Sequence, residues 1–262
     1  MRRIASASAA VFLLVLARAP AVDAQAPDPA RARYTLRAAI APDGRNIEGT
    51  IAIDLENPTR EPLDHVRLWL YPNRFGAPPA GLNEINFYWV YPLHFDAGGI
   101  EIRRVECDGR RLAVAPSDRP RGLDVEARVP LFPVLAPGAR TTLTVAFRTT
   151  VPERYGLFGR VGETIVLGGP FFPTLQTLGP GGWQTADPPG PADWDVRIES
   201  PGRDLWMNGE PGGQRVLSAE GLTIVAARHW HVERRRHRGV DLVYATAQPF
   251  DERIARSAGD LM

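Results

Sequence analysis

The chain has 262 residues, with 31 basic and 30 acidic side chains and a formal charge of +1. So balanced a charge gives no electrostatic case for a nucleic-acid partner. A single cysteine, Cys107, excludes an internal disulfide, so stability must come from packing, for which the chain is long enough.

The first residues predict an export signal. Arg2 and Arg3 precede a short apolar run over 9–17, and Val22-Asp23-Ala24 forms a small-residue cleavage pattern. We read 1–24 as a signal peptide cut after Ala24 or Ala26, and 25–32 as a linker. The apolar run is far shorter than the ~20 residues of a membrane span, and no cysteine near the cut offers a lipid anchor. These features predict a periplasmic or secreted protein without a transmembrane segment.

From 33 onward the chain alternates with period two. Residues 33–40 alternate up to a Pro42-Asp43-Gly44 turn, and Ile47, Gly49, Ile51, Ile53 and Leu55 then share one face. Further strands are predicted at 66–71, 100–106, 111–115, 123–129, 141–147, 163–167, 193–199, 222–227, 230–234 and 240–245. Turn residues separate them, Asp108-Gly109 being the clearest, and 25 Gly and 25 Pro argue against long helices. The pattern predicts an all-β domain over 33–248, a large antiparallel sandwich or saddle-shaped curved sheet with long Gly/Pro-rich loops. Two long loops stand out. One, 76–99, is aromatic (Phe87, Tyr88, Trp89, Tyr91, Phe95); the other, 168–192, is rich in Gly and Pro. Residues 249–262 read as the start of a following segment, cut short, in which 249–256 can begin a helix.

Several residues carry possible chemistry. His229, His231 and Glu233 fall at i, i+2 and i+4, so an extended strand would turn two imidazoles and a carboxylate to one face. That set suits zinc, bound at about 2.0–2.2 Å by nitrogen and oxygen ligands, and His237 would extend the row. Arg234, Arg235 and Arg236 follow at once and disfavour a second cation, and a solvated strand face explains the same residues. With Arg228 and Arg238 these arginines form a basic cluster, suited to an anionic lipid or acidic partner or simply to a solvated strand end. No H-E-x-x-H motif occurs, and no Gly-x-Ser-x-Gly elbow supports Ser200 or Ser218 as a nucleophile. Cys107 has no local histidine or positive helix end to activate it. The aromatic loop, and Trp183 beside Gly181-Gly182, admit sugar stacking as well as core packing.

Taken in order, these segments resemble the N-terminal β domain of the aminopeptidase N-like (gluzincin) family of zinc metallopeptidases. The opening pair is Tyr34-Thr-Leu-Arg-Ala with Ile47-Glu-Gly-Thr-Ile-Ala-Ile. Leu68-Trp-Leu-Tyr-Pro-Asn73 resembles the next strand and corner, and Gly99-Ile-Glu-Ile-Arg-Arg-Val with Asp108-Gly109 the next hairpin. Leu135-Ala-Pro-Gly138 leading into Thr141-Thr-Leu-Thr-Val-Ala-Phe147, then Phe172-Pro173, continue the series. Asp193-Trp-Asp-Val-Arg-Ile-Glu-Ser-Pro201, Leu205-Trp-Met-Asn208-Gly-Glu and Asp241-Leu-Val-Tyr-Ala-Thr-Ala complete it.

The resemblance implies a saddle-like β domain preceding a thermolysin-like catalytic domain. Zinc and peptide substrate would be bound chiefly by that domain, leaving no catalytic residue and no cofactor in this chain. It also implies a substrate-side loop at 171–176, with Phe172 and Gln176 as candidates. One departure bears on aminopeptidase specificity: the family members this chain resembles most carry a Thr-Gln pair shortly before the Phe-Pro corner, which helps hold the substrate's free amine, where this chain reads Glu163-Thr-Ile-Val-Leu-Gly-Gly-Pro170 with no Gln. The alternative is a stand-alone exported binding module that recognises carbohydrate or protein through its aromatic loops.

Overall fold

A computed structural model describes residues 14–17, 32–115, 124–179, 181–184, 190–237 and 240–247, with backbone alone at 14–17, 237 and 240–242. The helix predicted at 249–256, the predicted linker up to 31 and all of the predicted signal peptide except 14–17 lie outside the described residues. The chain is nearly all β, as its alternation predicts.

In order, the strands are β1 (Leu14–Ala17), β2 (Arg33–Ile40), β3 (Asn46–Glu56) and β4 (Leu63–Trp69). A 3-10 turn (Tyr71–Phe75) and one helical turn, α1 (Phe87–Val90), come next. Then follow β5 (Gly99–Cys107), β6 (Arg110–Leu112), β7 (Glu126–Leu135), β8 (Arg140–Thr150), β9 (Phe158–Val161) and β10 (Thr164–Leu167). The Gly/Pro-rich stretch carries β11 (Thr174–Leu175), β12 (Thr177–Gly179) and β13 (Gly182–Gln184). The remainder is β14 (Ala192–Glu199), β15 (Asp204–Met207), β16 (Glu210–Pro211), β17 (Gln214–Ala219), β18 (Ile224–Ala227), β19 (His231–His237) and β20 (Val240–Thr246).

The largest sheet has seven strands in the order β17-β14-β2-β3-β8-β5-β6. Its strands alternate buried and exposed along β2 and β14, so one face is apolar. That face supplies Leu36, Ile51, Ile53, Leu143, Val145, Phe147 and Val196 to the main core. The opposing layer comes from two smaller sheets: β11-β4-β7 contributes Val66, Leu68 and Val129, and β16-β15-β18-β10-β9 contributes Leu167, Met207 and Ile224. All of these side chains belong to one continuous cluster, which is the sandwich arrangement. Gly49 sits opposite Ala38 across β2 and β3, where an added Cβ would lie 2.6 Å from the Arg37 carbonyl oxygen.

Two hairpins close on two-residue turns with positive φ at both positions, Asp108 (48°) with Gly109 (76°) and Asn208 (45°) with Gly209 (82°). This is the type I′ signature that Asp-Gly and Asn-Gly favour. The sheet departs from the antiparallel expectation at one pair, because β14 runs parallel to β2 from Asp193↔Arg33 to Glu199↔Ala39. These strands are far apart in sequence, so no hairpin dictates their direction.

A smaller cluster lies outside the main core. Val166, Trp206, Val225, Ala227, Trp230 and Ala245 form it, joining the five-stranded sheet to the ribbon of β19 and β20. β1 pairs with the other edge of β20, Leu14 opposite Ala245. Among the described residues no helix is long and apolar enough to cross a membrane.

Candidate functional site

The histidine strip lies where β18 gives way to β19. Trp230 is buried in the smaller cluster, and its indole Nε1 donates to the Asp204 carbonyl at 3.0 Å. Its neighbours turn the other way, leaving His229 exposed and His231 half-buried. Their rings meet edge to face, centroids 4.9 Å apart and planes at 90°. The third predicted ligand is engaged elsewhere, since Glu233 accepts from Arg235 Nε at 2.6 Å. Arg228 Nε is 2.8 Å from Glu163. The structure therefore brings the two histidines together without the carboxylate. Among the described residues no three His, Cys, Asp or Glu side chains assemble a metal site. The residues thus do not fit a catalytic zinc ion, which takes three protein ligands and an open position. The side chain of His237 lies outside the described residues.

The 171–176 corner lies in the core. Phe172 has no exposed surface and Gln176 is 3 % exposed. Phe172 packs edge to face on Phe171 and Trp194, at 4.8 and 5.5 Å between centroids, and Trp194 stacks on Tyr34 at 4.4 Å. The backbone is satisfied as well: the Leu175 amide donates to Tyr34 Oη at 3.1 Å, and the Gln176 amide to the Arg67 carbonyl at 2.9 Å. Burial raises the Tyr34 hydroxyl far above its ordinary pKa, against the opposing pull of the Leu175 hydrogen bond. Phe172 and Gln176, the substrate-side candidates, present no side chain to solvent in this structure.

The aromatic loop between the 3-10 turn and β5 has the opposite character. Phe87, Tyr91 and Phe95 stack inward, Tyr91 being 1 % exposed. Ile85, Tyr88, Trp89 and Leu93 point outward with 83, 66, 75 and 68 % of their surfaces exposed. The loop satisfies its own polar groups: Asn83 Oδ1 accepts from the Ile85 amide, and Asn86 Oδ1 from the Asn83 amide. Its base is pinned by Asp96, which accepts two hydrogen bonds from Arg45 (2.9 and 2.7 Å) and one from the Glu153 amide (2.7 Å). Burial alone would raise the Asp96 carboxyl. The hydrogen bonds from Arg45 and Glu153 and the charges of Arg45 and Arg160 together outweigh burial and hold it below its ordinary value. A further tie joins the loop to 151–160, the Tyr155 amide donating to the Val90 carbonyl at 2.8 Å.

Three other candidates take structural roles. Cys107 is half-buried with Sγ 3.0 Å from Thr141 Oγ1, which in turn donates to Asp108 at 2.7 Å. Trp183 is carried by the β12–β13 hairpin, and its Nε1 donates to the His65 carbonyl at 3.2 Å. Ser218 Oγ donates to Asp193 across β14 and β17.

No protein-family profile matches the chain, and no curated protein matches it in sequence. Solved structures do. An M1 zinc metallopeptidase from Deinococcus radiodurans is similar at 16 % identity and a TM-score of 0.44, over 79 % of this chain and 44 % of that one. Yeast LTA4 hydrolase in complex with bestatin is similar at 12 % identity and a TM-score of 0.44, over 83 % of this chain and 32 % of that one. The chain spans less than half the length of each of these two structures. No family assignment follows from overlaps of this size.

Proposed function

We propose that this chain is the non-catalytic N-terminal scaffold and substrate-side domain of an exported aminopeptidase N-like zinc metallopeptidase. Its partner is a catalytic domain that would hold the zinc ion and hydrolyse the peptide; zinc would supply there Lewis-acid activation of the attacking water. The residues of this chain supply the wall and the dock. The observation that carries the reading is the order of the segments. The opening pair at β2 and β3, the Leu68 to Asn73 corner, the β5–β6 hairpin, the Phe172-Pro173 corner and the β15–β16 hairpin follow one another in the family's sequence. The outward side chains of Ile85, Tyr88, Trp89 and Leu93 support it, since clustered exposed apolar side chains mark interfaces.

A second reading, a stand-alone exported module that binds carbohydrate or protein, is favoured by the exposure of Tyr88 and Trp89 in particular. The test is a hydrolysis assay of the purified full chain on aminoacyl-anilides and short peptides, with zinc supplied. The scaffold reading expects no hydrolysis; turnover abolished by chelator overturns it. A glycan titration decides between the two readings: a saturable sugar site lost on Trp89→Ala favours the module.

A further inference from the structure

We infer that β17 pairs with β17 of a second copy of this chain, antiparallel and edge to edge, about a two-fold axis at Val216. An edge strand presents unpaired N–H and C=O groups that invite another chain unless something blunts them. Most edges here are blunted. In the sheets of three or more strands, β1, β6, β9, β11 and β16 are four residues or shorter. β7 is interrupted by Pro130 and Pro133, and β19 carries Arg234, Arg235 and Arg236. β17 has six residues, no proline and an unbroken register against β14. Among the described residues no strand pairs with its outer edge.

The hydrogen-bond phase of the ladder selects the register. One step beyond the Arg197↔Gln214 pair, the Ile198 amide donates to the opposing Gly213 carbonyl at 2.6 Å. The Asp193 amide faces the other way and donates to the Ala32 carbonyl at 3.1 Å. Bonded pairs alternate along an antiparallel ladder. Arg215, Leu217 and Ala219 therefore turn their peptide groups to β14, and Gln214, Val216 and Ser218 turn theirs outward. Only an axis at Val216 brings all three outward residues into bonded pairs with one another: Val216 meets Val216, and Gln214 meets Ser218. An axis at Arg215 would set that charge against itself, and an axis at Leu217 would leave Gln214 facing Glu220.

The side chains agree with this register. Gln214, Val216 and Ser218 are all exposed on one face, Val216 by 79 %. The axis thus places a β-branched pair at the centre, flanked on both sides by an amide and a hydroxyl able to hydrogen-bond. On the other face Arg215 falls across from Leu217, so no like charges stand directly opposite. The contact is self-complementary, as a two-fold interface must be, and it joins two seven-stranded sheets into one.

The test is analytical ultracentrifugation of the untagged full chain across the micromolar range, where a concentration-dependent dimer is expected. Val216→Pro removes an amide that points away from β14, so it spares the fold's own ladder and should leave only monomer. Val216→Lys sets two charges against each other at the axis and should do the same, which keeps the test open if the proline variant folds poorly. Cysteine crosslinking reads the register. Val216→Cys should form a disulfide-linked dimer under mild oxidation, because bonded partners lie about 5.5 Å apart, within disulfide reach. Gln214→Cys, set opposite Ser218, should not exceed the wild type, which controls for Cys107. Monomer alone in the wild type, a dimer that survives Val216→Lys, or linkage at position 214 as ready as at 216 would each overturn the inference.

Discussion

The sequence marks out two long loops rich in aromatic, Gly and Pro residues, and the molecule treats them in opposite ways. Residues 171–176 pass through the core, whereas 76–98 cap the surface with four large apolar side chains turned outward. The difference follows from where each backbone finds its hydrogen bonds. Thr174 and Leu175 pair with Trp69 and Leu68 of β4, so their peptide groups are satisfied and can be buried. The 76–98 loop has no strand partner. It relies on asparagine side chains and an ion pair at its base, and so it stays outside. Aromatic content alone does not decide burial; access to a sheet edge does.

The largest expected effect breaks the comparison if it fails. Phe172→Ala should destabilise the fold by about 3–5 kcal/mol, the usual result of emptying a closely packed aromatic site, read from urea denaturation. Equal stability of the variant and wild type would mean that the corner is not packed as described.

Next in size is Asp96→Ala, which strips Arg45 and the Glu153 amide of their acceptor. A loss of about 1–3 kcal/mol is expected, with faster hydrogen exchange and proteolysis confined to 76–98. Faster exchange at 171–176 as well would show that the two loops are coupled. The same residue predicts a pH dependence. Its folded pKa lies below the unfolded value of about 3.9. Its contribution is therefore complete above that value and is lost as pH falls through the lower, folded pKa. Exchange in the loop should rise in that acid window, and Asp96→Asn should flatten the rise; an unchanged profile in the variant would remove Asp96 from the account.

The smallest effect is on stability and the most telling on surface. Trp89→Ser should change stability within about 0.5 kcal/mol while lowering the binding of an apolar fluorescent dye. A destabilisation like that of Phe172→Ala would mean the indole is packed rather than presented.

Much of the fold is legible in the sequence where one face is buried. β2, β3, β8 and β14 declare themselves by alternation, and Asp108-Gly109 declares its turn. β7 is harder to read, because Pro130 and Pro133 look like breakers. It is an edge strand, where a missing N–H is tolerated. β17 is missed for a related reason: as an edge it exposes Val216 by 79 % and shows little apolar face. The parallel pairing of β14 with β2 has no local signal at all. At the histidine strip, the sequence finds His229, His231 and the competing arginines, but not which of them Glu233 takes, which is Arg235. At the Phe-Pro corner, position in the chain gives no hint that Phe172 and Gln176 are enclosed.

The central claim is that the outward loop docks a zinc-peptidase domain. Placing the photocrosslinker p-benzoylphenylalanine at position 89 in cells, then sequencing the adducts by mass spectrometry, tests it most directly. The account predicts crosslinked peptides from a domain that carries H-E-x-x-H, and none of these from the same probe at the exposed Val216 on the edge strand β17. Adducts only to unrelated proteins or to glycans, or no adduct at all, would contradict it.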